Sequence, residues 1–216
     1  MLQLQSFTFN PFAENSYIVW DEQSLACAIF DPGCSNYQEE KVLFDFIEQH
    51  KLNPILLINT HCHIDHVLGN KFIADTYNLP LHAHSLEKSM VEWAHQAAIL
   101  YQIPYTPSPE IGVLLDDKQE LKIGNHSMTI RFTPGHSPGH LTFVSPEAKW
   151  ALVGDVIFKR SIGRTDLPQG DFDTLSHSIR SQIYTLPDTC ILYNGHGDPT
   201  DVGSEKLHNP FVRLTT

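Results

Sequence analysis

No apolar run in these 216 residues approaches the roughly 20 that cross a bilayer, which excludes a helical membrane span. Residues 1–9 alternate apolar and polar side chains like a strand and have neither the basic start nor the apolar block of a signal peptide, so a cytoplasmic protein is expected. Cysteine is scarce as well. Cys27, Cys34, Cys62 and Cys190 form no C-x-x-C pair, and a soluble chain of this length does not need disulfides to fold, so the four are expected to be reduced thiols. Positive charge is also short: 14 Lys and Arg against 25 Asp and Glu leave a formal charge of -11. That balance argues against nucleic-acid and anionic-membrane partners, which are gripped through net positive patches. Low-complexity stretches, a repeat period and a linker are all missing, so a single domain over residues 1–216 is expected.

Histidine is what the chain has in quantity, 13 in all, and three fall within His61-Cys62-His63-Ile64-Asp65-His66. In an extended segment alternate side chains share a face, so His61 and His63 can grip one ion. Asp65 and His66, where a helix begins, can turn toward a second. The same alternation turns Cys62 away, as an inert packing residue.

Several apolar, strand-like runs end in a residue able to bind or orient a metal. Ala26 to Phe30 leads to Asp31-Pro32-Gly33, Ile55 to Ile58 leads to His61, and Met128 to Phe132 leads to Thr133-Pro134-Gly135-His136. Ala151 to Gly154 leads to Asp155, and Ile191 to Tyr193 leads to Asn194-Gly195-His196. In layered α/β proteins, loops at strand ends converge on a crevice, so these endings imply one shared site. Amphipathic helices alternate with the strands. Ser35-Asn36-Tyr37-Gln38 has capping-box spacing and opens a helix with Val42, Leu43, Phe46 and Ile47 on one face. Others are expected around Phe72 to Tyr77 and Leu86 to Tyr101, and along the stripe Phe172, Leu175, Ile179 and Ile183. Two groups of strands with helices outside fit a four-layer αββα sandwich of the α/β class. The seven collected ligands, His61, His63, Asp65, His66, His136, Asp155 and His196, offer imidazole and carboxylate without thiolate. Such a set suits zinc, iron, manganese or another divalent first-row ion.

Thr60-His61-Cys62-His63-Ile64-Asp65-His66, Thr133-Pro134-Gly135-His136, Gly154-Asp155 and Gly195-His196 resemble, in order and spacing, the motif series of the metallo-β-lactamase fold superfamily. Asn15-Ser16-Tyr17 and Asp31-Pro32-Gly33 match the start of that domain, so the resemblance covers nearly the whole chain. Residues 161–168 and 205–211 are similar to short, single-domain, glyoxalase II-like hydrolases; true β-lactamases match less well. The resemblance implies that His61, His63 and His136 hold one ion, that Asp65, His66 and His196 hold another, and that Asp155 bridges them. It also implies two divalent metals, zinc first with iron or manganese as alternatives, and a small-molecule thioester substrate. Cations about 3.5 to 4 Å apart lower the pKa of a shared water to roughly 7, and the resulting hydroxide is expected to attack the thioester carbonyl. Asp65 and Asp155 are the catalytic candidates. Glyoxalase II enzymes hold glutathione with a lysine and an aromatic near residues 163–166, where Arg164 keeps the charge and Asp166 does not keep the ring.

Three residues carry two readings each. Arg164 grips a substrate carboxylate through its planar fork or pairs with Asp166. Asp31 orients a ligand histidine or serves as a turn residue before Pro32, and His140 supports the site or merely opens a strand. His82-Ala83-His84 repeats the H-x-H spacing without a carboxylate partner and reads as a surface pair. The runner-up function is a persulfide dioxygenase, whose family resembles the chain in the same motifs but binds one iron through the equivalents of His61, His136 and Asp155. A non-catalytic binding or redox-relay protein is the third class, and an incomplete ligand set would have favoured it.

Overall fold

Alternation along the strands sets the layers. In β3 (Ala26–Phe30), Ala28 and Phe30 face one way and Cys27 and Ile29 the other, and all four are fully buried, so this strand is covered on both faces. The same holds for β10 (Trp150–Gly154), whose Trp150 and Leu152 join one cluster while Ala151 and Val153 join another. The computed structural model describes residues 1–145 and 149–214; residues 146–148 and 215–216, part of the single-domain expectation, lie outside the described residues.

Two six-stranded sheets result. The first runs in the order β1 (Leu2–Phe9), β2 (Glu14–Asp21), β3, β4 (Asn53–Ile58), β5 (Leu81–His84) and β6 (Ile111–Leu115). The second runs β14 (Thr200–Asp201), β13 (Ile191–Asn194), β10, β9 (Leu141–Ser145), β8 (His126–Phe132) and β7 (Glu120–Ile123), while β11 (Ile157–Phe158) pairs with β12 (Ser161–Ile162). Val19, Phe30 and Ile58 from the first sheet meet Ile130, Phe143 and Leu152 from the second, and Phe30 sits edge-on to Phe143 at 5.0 Å.

Helices cover both outer faces. Leu43 and Ile47 of α1 (Tyr37–Gln49) and Ile73 of α3 (Asn70–Tyr77) pack on Ile18, Ile29, Leu57 and Leu81. Leu175 of α5 (Phe172–Ser178), then Ile179 and Ile183 in the wider turn that follows, and Val202 of α6 (Val202–His208) pack on Val153 and Leu192. The expected αββα sandwich is therefore the observed one. Two local expectations shift. The cap of α1 is Asn36, which accepts the Glu39 N–H at 3.1 Å while Glu39 reaches back to the Ser35 N–H at 2.7 Å, a reciprocal arrangement set one residue later than the spacing of Ser35 implied. Val42 is 51% exposed, because Leu43 and Ile47 already fill the buried stripe.

Strand direction places the site. β3, β4 and β5 are parallel, β10 is parallel to β13, and β8 is antiparallel to β9, which is antiparallel to β10. The ends that precede Asp31, His61, His136, Asp155 and His196 therefore share one side of the sandwich. Backbone bonds stitch the two sheets together there: Leu141 N–H donates to Thr60 O at 2.8 Å and Asn15 N–H to Gly195 O at 2.7 Å. Among the described residues, no helix is long and apolar enough to cross a membrane.

Candidate metal centre

After β4 the chain bends at Thr60 and His61 and is extended at His63, whose φ of -68° and ψ of 155° precede the short helix α2 (Ile64–Val67). The rings of His61 and His63 come together, their centroids 4.8 Å apart. Cys62 turns away into an apolar cluster with Ala83, Met90 and Ala94, where burial pushes its thiol well above the ordinary range and leaves it inert. Asp31 holds the start of this segment, accepting Thr60 N–H at 2.7 Å and Thr60 Oγ1–H at 2.6 Å. Its second oxygen also lies 3.2 Å from His66 Nδ1, so Asp31 orients a candidate ligand and is more than a turn residue.

The structure brings all seven candidates together. His136 Nε2 lies 2.9 Å from His63 Nδ1 and 3.2 Å from His61 Nε2, which makes one three-histidine cluster. Beside it, Asp65 Oδ2 lies 3.1 Å from His196 Nε2 and 3.6 Å from His66 Nε2. Asp155 stands between the two: Oδ2 is 3.5 Å from both His136 Nε2 and His196 Nε2, and Oδ1 is 3.5 Å from His66 Nε2. Such crowding requires glycine at 195, where a Cβ would come within 2.0 Å of Asp155 Oδ1.

Hydrogen bonds on the far side of each ring indicate which nitrogen is protonated. His136 Nδ1 donates to Arg164 O at 2.7 Å and His196 Nδ1 to Phe12 O at 3.1 Å. Thr60 Oγ1 spends its hydrogen on Asp31, so it accepts from His61 Nδ1 at 3.1 Å. The inward Nε2 atoms of His61 and His136 are then lone pairs aimed at each other, while His196 Nε2 faces the carboxylates of Asp65 and Asp155. Facing lone pairs repel unless a positive charge lies between them. His63 Nε2, both nitrogens of His66 and Asp155 Oδ1 are buried without a hydrogen-bond partner. This donor set fits divalent cations: three imidazoles for one ion, two imidazoles and a carboxylate for another, and a carboxylate between.

Electrostatics separates the two halves. Burial, reinforced by neighbouring rings, holds His61 and His63 down, His63 to about 3, so both are neutral ligand-ready imidazoles. Burial also pulls on His66 and His196, but there the acids win. The charges of Asp65 and Asp155 raise His66, and hydrogen bonds to Asp155 and Asp65 raise His196 to about 10. Burial pushes Asp65 and Asp155 up, yet the His66 charge and the His196 bond keep both carboxylates ionised.

Of the remaining candidates, His140 belongs to the support of the site. It is buried, its Nε2 accepts Asp155 N–H at 3.1 Å, and its ring stacks on His61 at 4.9 Å. Arg164 lines the pocket, but its fork is bidentate to Asp166 at 2.7 and 2.8 Å. His82 and His84 are buried rather than on the surface: His82 Nδ1 lies near Leu57 O and Pro80 O, and His84 stacks on Phe132. Sequence reasoning missed three buried polar residues, Glu14, Asn59 and Glu87. Glu14 Oε1 is 3.8 Å from His66 Nδ1, and Asn59 donates to His66 O at 2.8 Å. None of the three lies in a ligand-spaced motif, so nothing local signals them.

The cluster opens into a pocket of about 370 Å³, within the usual range for small-molecule sites. Phe12, Trp93, Tyr101 and Phe158 wall it, with Phe12 edge-on to Tyr101 at 5.3 Å.

An αββα sandwich carrying two adjacent histidine and carboxylate clusters at one end defines a class of metal-binding proteins. The family model of the metallo-beta-lactamase superfamily matches residues 9–196, and the chain belongs to that superfamily of metal-dependent hydrolases. It is 34% identical over 218 residues to hydroxyacylglutathione hydrolase GloC of Haemophilus influenzae, covering 98% of each protein. It is 28% identical over 204 residues to the mitochondrial persulfide dioxygenase ETHE1 of Bos taurus, covering 93% of this chain and 72% of that one. Among solved structures, the BLEG-1 B3 metallo-beta-lactamase superposes with a TM-score of 0.89 at 32% identity, covering 97% of this chain and 99% of that one. The di-iron-bound form of TTHA1623 gives a TM-score of 0.86 at 31% identity, covering 96% and 99%.

Proposed function

We propose that the chain is a glyoxalase II-like thioesterase that cleaves a glutathione or related thioester with two divalent ions, zinc first and iron or manganese as alternatives. His61, His63 and His136 would hold one ion and Asp65, His66 and His196 the other, with Asp155 available to both. The observation that carries this reading is the position of Asp155, 3.5 Å from nitrogens of both clusters. The 34% identity to the hydrolase GloC over almost the full length supports it. Divalent ions bound there would supply Lewis acidity for activating water and for offsetting charge on a carbonyl oxygen.

The chain's own residues do the rest. Asp65 lines the pocket and is the group placed to take the proton released as water attacks, and to return it to the departing thiolate. The aromatic walls hold the apolar part of the substrate and exclude bulk water. Arg164 meets a substrate carboxylate only when Asp166 lets go. The partner is a small-molecule thioester, with no nucleic acid or membrane surface involved, and the protein works in the cytoplasm.

The deciding experiment is metal analysis of natively purified protein paired with two assays. Two ions per chain with thioester cleavage supports the proposal. One iron per chain with O2 uptake on glutathione persulfide overturns it in favour of the dioxygenase reading.

Two smaller predictions arise here. His196 holds its proton up to about pH 10 and His66 well above its ordinary range, so an ion arriving at pH 7 must displace protons. Calorimetry in two buffers of different ionisation enthalpy should show net proton release, and affinity should weaken as pH falls; binding without proton release contradicts this assignment. Separately, Asp166→Asn should free Arg164 and lower KM for carboxylate-bearing thioesters by about 2–5-fold, the range of an exposed ion pair. Thioesters without a carboxylate should not respond. An equal effect on both would remove Arg164 from the substrate site.

A further inference from the structure

Glu87 ends the turn Ser85–Glu87 that leads into α4 (Lys88–Tyr101) and is fully buried. A carboxylate in such a place is costly unless its oxygens are satisfied. Here they are, and by two separate parts of the site. Oε2 accepts the N–H of Cys62 at 2.7 Å, in the segment between His61 and His63. Oε1 accepts Ser137 Oγ–H at 2.6 Å and Gly139 N–H at 2.7 Å, in the segment that follows His136. The approach is close: a Cβ at Gly139 would lie 2.9 Å from both Glu87 Cγ and Oε1.

His84 of the H-x-H pair has a place in this arrangement. His84 Nδ1 accepts Leu86 N–H at 3.2 Å, capping the turn that presents Glu87, and its ring stacks at 4.7 Å on Phe132, the last residue of β8 before the segment that carries His136.

We infer that Glu87 is a positioning residue for the three-histidine cluster, each carboxylate oxygen anchoring one of the two segments that supply His61, His63 and His136. The inference rests on the metal-site reading above and adds to it a residue outside the ligand set. Its charge is needed as well as its shape. Glutamine would keep one acceptor oxygen and turn an NH2 group toward N–H and O–H donors on the other side, releasing one segment. Aspartate is a methylene shorter and cannot reach both.

The test is zinc affinity, measured by chelator competition on the full chain and on Glu87→Gln, with thermal melting of the metal-free forms as a control for folding. Glu87→Gln should bind zinc about 10–100-fold more weakly, as supporting partners of ligands typically require, with a lower metal-free melting temperature but a folded chain, since the NH2 group leaves buried donors unpaired. Ser137→Ala removes one bond and leaves the carboxylate, and should show a smaller loss in the same direction; it carries the test if Glu87→Gln does not fold. Wild-type zinc affinity in both variants, or in Ser137→Ala alone if Glu87→Gln does not fold, overturns this inference and leaves the metal-site reading intact. A wild-type chain that takes up none of zinc, iron or manganese overturns both.

Discussion

Asp155→Ala should leave a folded protein that retains neither ion firmly and has lost more than about 100-fold in thioester turnover. The size follows from position. Supporting residues that merely orient ligands already cost 10–100-fold in affinity or activity when removed, and Asp155 lies at 3.5 Å from nitrogens on both sides of the site. Its loss also leaves the Nε2 atoms of His66 and His196 facing a single carboxylate, Asp65. Folding should survive, because Asp155 follows β10 at the rim of the sandwich while the clusters that hold the sheets and helices lie beneath it. Metal analysis and steady-state kinetics on the purified variant check the prediction. A variant that is active and metal-replete would sink the assignment.

Asp65→Asn should separate the two functions most cleanly. Asparagine keeps the shape but removes the charge that faces His66 and His196 and the group proposed to carry the proton. The three-histidine cluster with Asp155 is untouched, so one ion should remain. Thioester turnover should fall about 10²–10⁴-fold, the usual contribution of a positioned acid–base group. The dioxygenase reading needs only His61, His136 and Asp155 and expects iron binding and O2 uptake to persist in this variant. Measuring both reactions on the same preparation therefore decides between the readings.

The legibility of the sequence differed from residue to residue. His61, His63, Asp65 and His66 were readable because they fall within one short segment. Ala26 to Phe30 was readable as an apolar strand leading to Asp31 for the same local reason, and the structure buries it on both faces. Val42 was misassigned, since periodicity marks a stripe on α1 but not its width, and Leu43 and Ile47 fill it with the half-buried Phe46 at its side. The pair His82 and His84 looked exposed because histidine usually is; the sheet buries it. Arg164 carried two readings, and the structure pairs it with Asp166.

By itself the sequence determined the ligand types, the strand that delivers each one, and the αββα layering, all of which depend on side-chain chemistry and short-range period. Only the tertiary structure decided which nitrogens face each other, that Asp155 lies between the two clusters, and that Asp31, His140 and Glu87 hydrogen-bond to the segments around them. His61 and His136 are 75 positions apart yet their nitrogens meet at 3.2 Å. That distance is set by strand register and by the packing of one sheet on the other, and these arise from contacts summed over the whole core. A short window of sequence does not contain those contacts.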